Sequence, residues 1–284
     1  MRQEDSDALV STDWLANNLG NPAISILDGT YHLPTTGRDA AAEFALKHLP
    51  DAVRFDIDDI CDKDDTLPHM IPSAELFASK VSALGITNEH RVIVYDVYGM
   101  QSAARTWWMF RVFGHDNVTV LNGGLPKWEA EGRPITAATA PRSVSCFQAN
   151  FRPQLVHGID DVRRIVDTGG SQIIDARSTG RFNAVEPEPR AVMRSGHMPG
   201  AFSLPFTELL DAPHRTFKDI DSIRERVRAA NIDVDKPVTI SCGSGVTACA
   251  VSLGLFLIGK KDASVYDGSW SEWGDRSDTP VITD

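Results

Sequence analysis

The chain carries an internal duplication, and this duplication restricts the possible folds more than any other feature. Four pairs of segments match in the same order at offsets of 145 to 149 residues: ILDGT with IIDAR, KHLPDAVRFD with GHMPGAFSLP, RVIVYD with PVTISC, and VFGHDNVTVLNGGLPKW with LIGKKDASVYDGSWSEW. A repeat of this length is a whole domain and not a solenoid unit. Because 284 residues suffice for two domains of ordinary size, we predict two homologous domains.

Each half has the pattern of an α/β fold. The runs VIVYD and VTISC are short and apolar and end in a polar residue, which is typical of buried strands in a parallel sheet. A loop and an apolar helix follow each run, predicted at Ser102–Phe113 and Val246–Ile258. TVLN and SVYD predict further strands. We therefore expect two α/β domains, each a parallel sheet flanked by helices.

Residues 136–153 lack hydrophobic periodicity and begin with small side chains, which indicates a connection between the two halves. We place the N-terminal domain at residues 1–138, a linker at 139–152 and the C-terminal domain at 153–284.

Composition and charge restrict the partners and the compartment. The net charge is −11 and the isoelectric point is about 5.2, with no basic stripe, so nucleic acid is not an expected partner. The longest apolar stretch is too short to span a bilayer, and the N-terminus has no signal-peptide pattern. We therefore expect a cytoplasmic protein whose four cysteines are free thiols and match no zinc pattern.

The loop after the strand VTIS carries the chemistry. Cys242 stands where the strand ends, and reactive groups in open α/β sheets collect at the carboxyl ends of strands. Gly243 and Gly245 allow a sharp turn in which backbone N–H groups point inward. The following helix directs its positive end at the same place. Both effects stabilise a thiolate, a persulfide anion or a bound oxyanion.

A buried structural cysteine is the alternative interpretation of Cys242, but a core position does not need the flanking Gly-Ser-Gly. Cys249 lies inside the next helix on a face with Leu253 and Phe256, and we interpret it as a core residue. The first half has Asp96 where the second has Cys242. The sequence therefore predicts one active site per chain.

These motifs resemble the rhodanese family, and among its members the 3-mercaptopyruvate sulfurtransferases most closely. The resemblance extends from about Ser11 to Trp273 and is carried by CGSGVT at 242–247, GRFNAVEPEPR at 180–190, GHMPGA at 196–201, and YDGSWSEW near the end. It implies two tandem rhodanese-like domains, of which the N-terminal one is catalytically inactive and the C-terminal one is catalytic. It also implies a site in the cleft between them.

The resemblance also indicates the sulfur donor. Thiosulfate sulfurtransferases carry cationic residues just after the cysteine, whereas Gly243 and Ser244 here are neutral. The resemblance places the donor carboxylate on Arg181 and Arg190, whose guanidinium forks suit a planar α-keto acid. From spacing alone, two arginines in such a loop would be surface charges. The loop residues expected to contact substrate are Gly243, Gly245, Val246 and Thr247.

A Ser–His–Asp relay has been proposed in this family beside the cysteine. The matching positions are Ser244, His69 and Asp58, of which the last two belong to the first half of the chain. A histidine there could transfer protons. The alternative is that His69 is a loop histidine without a catalytic role.

We therefore predict a sulfurtransferase that moves sulfur from 3-mercaptopyruvate through a Cys242 persulfide to cyanide, a small thiol or thioredoxin, releasing pyruvate. No metal or organic cofactor is expected. A thiosulfate sulfurtransferase is the nearest alternative, and a persulfide carrier without turnover is another. Cysteine phosphatases place an arginine six residues after the cysteine, where this chain has Ala248, so phosphate chemistry is disfavoured.

Overall fold

A computed structural model describes residues 8–139, 142–190 and 193–283 of the chain. The chain forms two compact units. The first contains the N-terminal residues through Lys63 together with Ile71–Arg152 and Asp211–Phe217. The second contains Asp64–Met70, Pro153–Leu210 and Lys218–Asp284. Asp64–Met70 therefore packs with the second unit although it lies in the first half of the chain, and Asp211–Phe217 packs with the first unit although it lies in the second half. The domain boundaries given above stay a prediction.

The first unit is built around a parallel sheet of five strands in the order β1-β5-β4-β2-β3. Its strands are β1 (Leu9–Val10), β2 (Ile24–Asp28), β3 (Ala52–Arg54), β4 (Arg91–Tyr95) and β5 (Val118–Leu121). Its helices are α1 (Thr12–Ala16), α2 (Ala40–Leu46), α3 (Ala74–Ala83), α4 (Ala103–Val112) and α5 (Gly124–Ala130), with a 3-10 turn at Pro34–Thr36.

The second unit repeats this arrangement with the strand order β6-β12-β11-β7-β8. The segment from residue 153 onward contains, in chain order, β6 (Val156–His157), α6 (Ile159–Thr168), β7 (Gln172–Asp175), α7 (Thr179–Phe182), β8 (Phe202–Ser203), β9 (Leu210–Asp211), β10 (Thr216–Phe217), α8 (Ile220–Ala229), β11 (Val238–Ser241), α9 (Ala248–Leu257), β12 (Ser264–Tyr266) and α10 (Ser269–Trp273). Strands β9 and β10 form a separate two-stranded sheet, and 3-10 turns lie at Pro153–Leu155 and Phe206–Leu209.

The two sheets confirm the predicted α/β fold with duplicated parallel sheets. Corresponding strands occupy the same place in each order, and the helices predicted after VIVYD and VTISC are α4 and α9. The recurring KHLPD and GHMPG segments have a structural basis. The ring of His48 stacks on Phe44 at 4.1 Å, and the ring of His197 stacks on Phe182 at 3.8 Å. In both pairs the histidine Nδ1 lies within 2.9 Å of the phenylalanine carbonyl oxygen.

Each unit has its own apolar core. In the first, the buried side chains come from the sheet and from helices on it: Val10, Leu15, Ile26, Leu49, Ala52, Ile93, Tyr95, Leu121, Leu125 and Trp128. In the second they are Val162, Ile173, Met193, Met198, Tyr266, Trp270 and Trp273. Cys249 is fully buried in α9, as predicted, and all four cysteines are free thiols. Among the described residues, none of the helices has the length and hydrophobicity that crossing a bilayer requires.

Candidate active site

Cys242 follows directly after β11 and is 1% exposed. Its amide N–H donates to Ser269 Oγ at 3.1 Å, and its carbonyl accepts from the Trp270 amide at 3.0 Å. Five loop residues then lead into α9, which begins at Ala248. The strand end, α10 and the start of α9 therefore fix the backbone that carries the thiol.

Backbone N–H groups of this loop remain available for a ligand. Among the described residues, no acceptor receives a hydrogen bond from the amides of Gly243, Ser244, Val246 or Thr247. Gly245 adopts a left-handed conformation with φ of +75°, which a side chain would strain. The loop thus combines a helix start with unused donors, an arrangement that stabilises negative charge.

The duplication provides an internal comparison for this loop. Asp96 follows β4 as Cys242 follows β11, and Gly99, at the position matching Gly245, also has positive φ. The Asp96 carboxylate is fully buried and accepts five amide N–H bonds of 2.6 to 2.9 Å, from Tyr98, Gly99, Gln101, Ser102 and Ala103. In the first unit the amides of this loop therefore converge on an anion that belongs to the chain itself.

Arg181 lies against the Cys242 loop. A Cβ atom added to Gly243 would come 3.2 Å from Nη2 of Arg181, so glycine leaves the space that the guanidinium occupies. Arg181 is in α7, which begins after Ser178, whose Oγ accepts the Arg181 amide. Its Nε donates to both carboxylate oxygens of Glu188, at 3.1 and 3.2 Å, and Nη2 also donates to Glu188.

A buried ion network supports this arginine. The Arg177 side chain is fully buried and donates to Asp175, to Glu188 and to the Gly196 carbonyl. Burial alone would lower the pKa of Arg177, but the charges of Asp175 and Glu188 outweigh that effect and raise it. Since Asp175 pairs in register with Ser241 of β11, the network starts beside the strand that leads to Cys242.

Arg190 reaches the same loop through a serine. Its Nη1 donates to Ser271 Oγ at 2.8 Å, and that hydroxyl donates to the Gly243 carbonyl at 2.7 Å. The Ser271 amide donates to the same carbonyl at 2.8 Å. Both arginines predicted to bind the donor therefore lie at Gly243, one beside it and one through Ser271.

The members of the predicted relay are placed differently. Ser244 lies on the loop and is nearly buried. His69 is 5% exposed, has a left-handed backbone with φ of +57°, and belongs to Asp64–Met70, which packs in the second unit. Asp65 of the same segment acts on the second unit: burial raises the pKa of Glu272, and the negative charge of Asp65 raises it further. Asp58 belongs to the first unit, and its part in a relay stays a prediction.

Three residues of this site were not identified from the sequence: Ser269, Ser271 and Glu188. All three lie within the motifs GRFNAVEPEPR and YDGSWSEW. The motifs indicated that these segments belong to the site, but not which of their residues contact the loop. Ser269 and Ser271 contact the loop, and Glu188 contacts the arginine beside it.

Comparison with known proteins agrees with this geometry. The sequence matches the profile of the rhodanese-like domain at residues 11–131 and 159–276. It is 42% identical to thiosulfate/3-mercaptopyruvate sulfurtransferase 1, mitochondrial, of Arabidopsis thaliana, over 97% of this chain and 78% of that protein. It is 40% identical to human 3-mercaptopyruvate sulfurtransferase, over 94% of this chain and 91% of that protein.

A solved structure agrees with the fold of the whole chain. The crystal structure of the 3-mercaptopyruvate sulfotransferase SseA of Escherichia coli superposes with a TM-score of 0.84 at 38% identity, and the match covers 93% of this chain and 98% of that one. With both halves matched by the family profile, and with 40% identity to the human relative over 91% of that protein, the chain belongs to the rhodanese family.

Proposed function

We propose that this chain takes sulfur from 3-mercaptopyruvate onto Cys242 and passes it to a second thiophile. The sulfurtransferase class predicted from the sequence is confirmed by the relatives' names. The observation that carries the choice of donor is the loop itself. Its cysteine is followed by neutral Gly243 and Ser244, while Arg181 and Arg190 bring positive charge to Gly243 from outside the loop.

The arginines bind the donor in this proposal. A planar α-keto carboxylate offers two carboxylate oxygens and a keto oxygen, which guanidinium groups can bond in pairs. Arg181 retains Nη1, which donates to no acceptor among the described residues, and Arg190 retains Nε and Nη2 in the same way. These free edges are suited to hold the donor with its sulfur toward Cys242.

In the first step the Cys242 thiolate attacks the sulfur of the donor. The new S–S bond uses the electron pair of the thiolate, and the C–S bond breaks with its pair going to carbon. Pyruvate leaves as an enolate and takes up a proton, and Cys242 becomes a persulfide. The outer sulfur still carries the proton of the donor thiol. Once this proton passes to water, the loop amides and the start of α9 stabilise the persulfide anion. His69, in the unit that holds Cys242, is our proposed source of the proton that the enolate takes up.

In the second step an acceptor removes the outer sulfur and restores the thiolate. Covalent catalysis divides one difficult transfer into two displacements at sulfur. Cyanide, a small thiol or thioredoxin has the nucleophilicity required, and these remain the proposed acceptors. The cytoplasm remains the proposed compartment, although one relative is described as mitochondrial.

Thiosulfate is the second candidate donor, because the Arabidopsis relative is named for both donors. The experiment measures pyruvate release from 3-mercaptopyruvate with cyanide as acceptor, and thiocyanate formation from thiosulfate under the same conditions. We expect kcat/KM to favour 3-mercaptopyruvate and Cys242→Ser to be inactive with both donors. Preference for thiosulfate would refute the donor assignment, and activity in Cys242→Ser would refute the nucleophile.

A further inference from the structure

The charged side chains around the loop form a nearly neutral set. Two carboxylates and two guanidinium groups are joined in one chain of ion pairs, which runs Asp175, Arg177, Glu188, Arg181. Arg190 differs, because among the described residues it has a hydroxyl partner and no ion-paired carboxylate. The net charge that these five groups present to a donor is therefore +1, and it comes from Arg190.

We propose that Glu188 determines donor specificity by holding this charge at +1. The inference rests on the function proposed above and adds the reason that a monoanionic donor is preferred. At neutral pH 3-mercaptopyruvate carries one carboxylate charge, whereas thiosulfate carries two negative charges. The Cys242 thiolate repels both donors. The +1 of the five surrounding groups compensates the single charge of the first donor and leaves one charge of the second uncompensated.

The geometry makes Glu188 effective in this role. Its side chain is 2% exposed, so water screens its charge poorly. It binds the Nε–Nη2 edge of Arg181, and Nη2 is also the atom of that guanidinium that lies nearest to a Cβ built on Gly243. Glu188 thus neutralises Arg181 electrostatically while leaving its remaining N–H groups for the donor. Arg181 supplies directed hydrogen bonds, and Arg190 supplies the net attraction.

Two substitutions separate charge from shape. Glu188→Gln keeps the length and one acceptor oxygen but removes the negative charge, so the site becomes +2. Glu188→Asp keeps the charge but shortens the side chain. At an effective dielectric constant near 20, one additional charge ~6 to 12 Å from the donor changes relative kcat/KM by roughly a hundredfold to tenfold. We expect Glu188→Gln to raise the ratio of kcat/KM for thiosulfate to that for 3-mercaptopyruvate by a factor in this range.

A merely structural role gives a different result. If Glu188 only holds Arg181 in place, both variants lower activity with the donors and neither raises the ratio toward thiosulfate, which would overturn the proposal. Should the ratio rise equally in Glu188→Asp, charge is not the cause and the proposal also fails. Wild-type preference for thiosulfate would instead refute the proposed function. These outcomes are distinguishable within one set of assays.

Salt dependence in the wild type provides a second measurement that needs no variant. Rates of encounter between a site and a donor of opposite charge fall as ionic strength rises. With a site of +1, we expect the slope of log kcat/KM against the square root of ionic strength to be about twice as steep for thiosulfate as for 3-mercaptopyruvate. Flat dependence for both donors would overturn the net positive charge on which the proposal is built.

Discussion

Replacing Asp96 by alanine is expected to destabilise the first unit much more than the loss of an ordinary helix cap. The buried carboxylate accepts five amide N–H bonds at the start of α4. Hydrogen bonds to a charged group contribute about 1.5 kcal/mol or more each, so five amount to roughly 7 kcal/mol. This sum is an upper bound, because the five bonds share one carboxylate and are not additive, and removing one partner of a buried charged pair costs about 3 to 5 kcal/mol. The expected loss is therefore about 3 to 5 kcal/mol.

Asp39→Ala is the matched control. Asp39 is an exposed N-cap whose carboxylate accepts the amides of Ala41 and Ala42 at 2.9 and 3.0 Å. Removing such a cap typically costs about 1 kcal/mol. Urea unfolding followed by tryptophan fluorescence measures both variants, with each unit allowed its own transition. A loss for Asp96→Ala no larger than the control would refute the idea that this carboxylate organises the loop.

An added anion tests the same reasoning from the opposite direction. In Asp96→Ala the five amides line a space from which a carboxylate has been removed. Formate is small enough to replace it, and a ligand that binds only the folded state raises stability. We expect formate to raise the unfolding temperature of Asp96→Ala more than that of the wild type, and chloride at the same ionic strength to lack this effect.

Three further changes examine the second unit. Ser271→Ala removes the hydroxyl that orients Arg190, so KM for 3-mercaptopyruvate should rise about fivefold to tenfold with a smaller change in kcat, as steady-state kinetics would show. Ser269→Ala removes the acceptor of the Cys242 amide, and we expect kcat to fall at least tenfold with KM nearly unchanged. Burial raises the pKa of Glu272, so the folded protein binds this proton more tightly than the unfolded chain does. The resulting contribution to the free energy of unfolding is fully present below about pH 4 and is lost as the pH rises through the pKa of the folded state. Glu272→Gln should therefore raise the unfolding temperature near pH 7 but not at pH 4, and an equal rise at both would contradict this linkage.

The fold and the position of the proposed nucleophile were accessible from the sequence because both depend on local pattern. Short apolar runs ending in a polar residue gave β4 and β11, and the residues that follow them are Asp96 and Cys242. The turn at Gly245 has a positive φ, a conformation that glycine adopts without strain, so the glycine in the sequence indicates the turn. Matching offsets then extended these local signals to both halves of the chain, and the structure adds the strand order that the two sheets share.

The partners of the site residues were not accessible in the same way. A serine or glutamate in a loop is usually solvated, and only the folded chain shows that Ser269 holds the Cys242 amide or that Glu188 joins two arginines. The packing of Asp64–Met70 within the second unit is equally invisible to periodicity. Such contacts depend on how distant segments meet, and the motifs indicate only that the segments matter.

The exchange of cysteine for aspartate explains how one loop design serves two purposes. A carboxylate oxygen of Asp96 lies two bonds beyond Cβ, as does the outer sulfur of a cysteine persulfide. The first unit therefore satisfies its amides permanently, whereas in the proposed mechanism the loop of Cys242 keeps its amides for negative charge on sulfur. Buried N–H groups without acceptors are costly, so the second loop needs bracing, which Ser269 and Ser271 of α10 provide at Cys242 and Gly243. The same loop amides thus stabilise the fold of the first unit, where they bind the Asp96 carboxylate. In the second unit they are available for the proposed persulfide of Cys242.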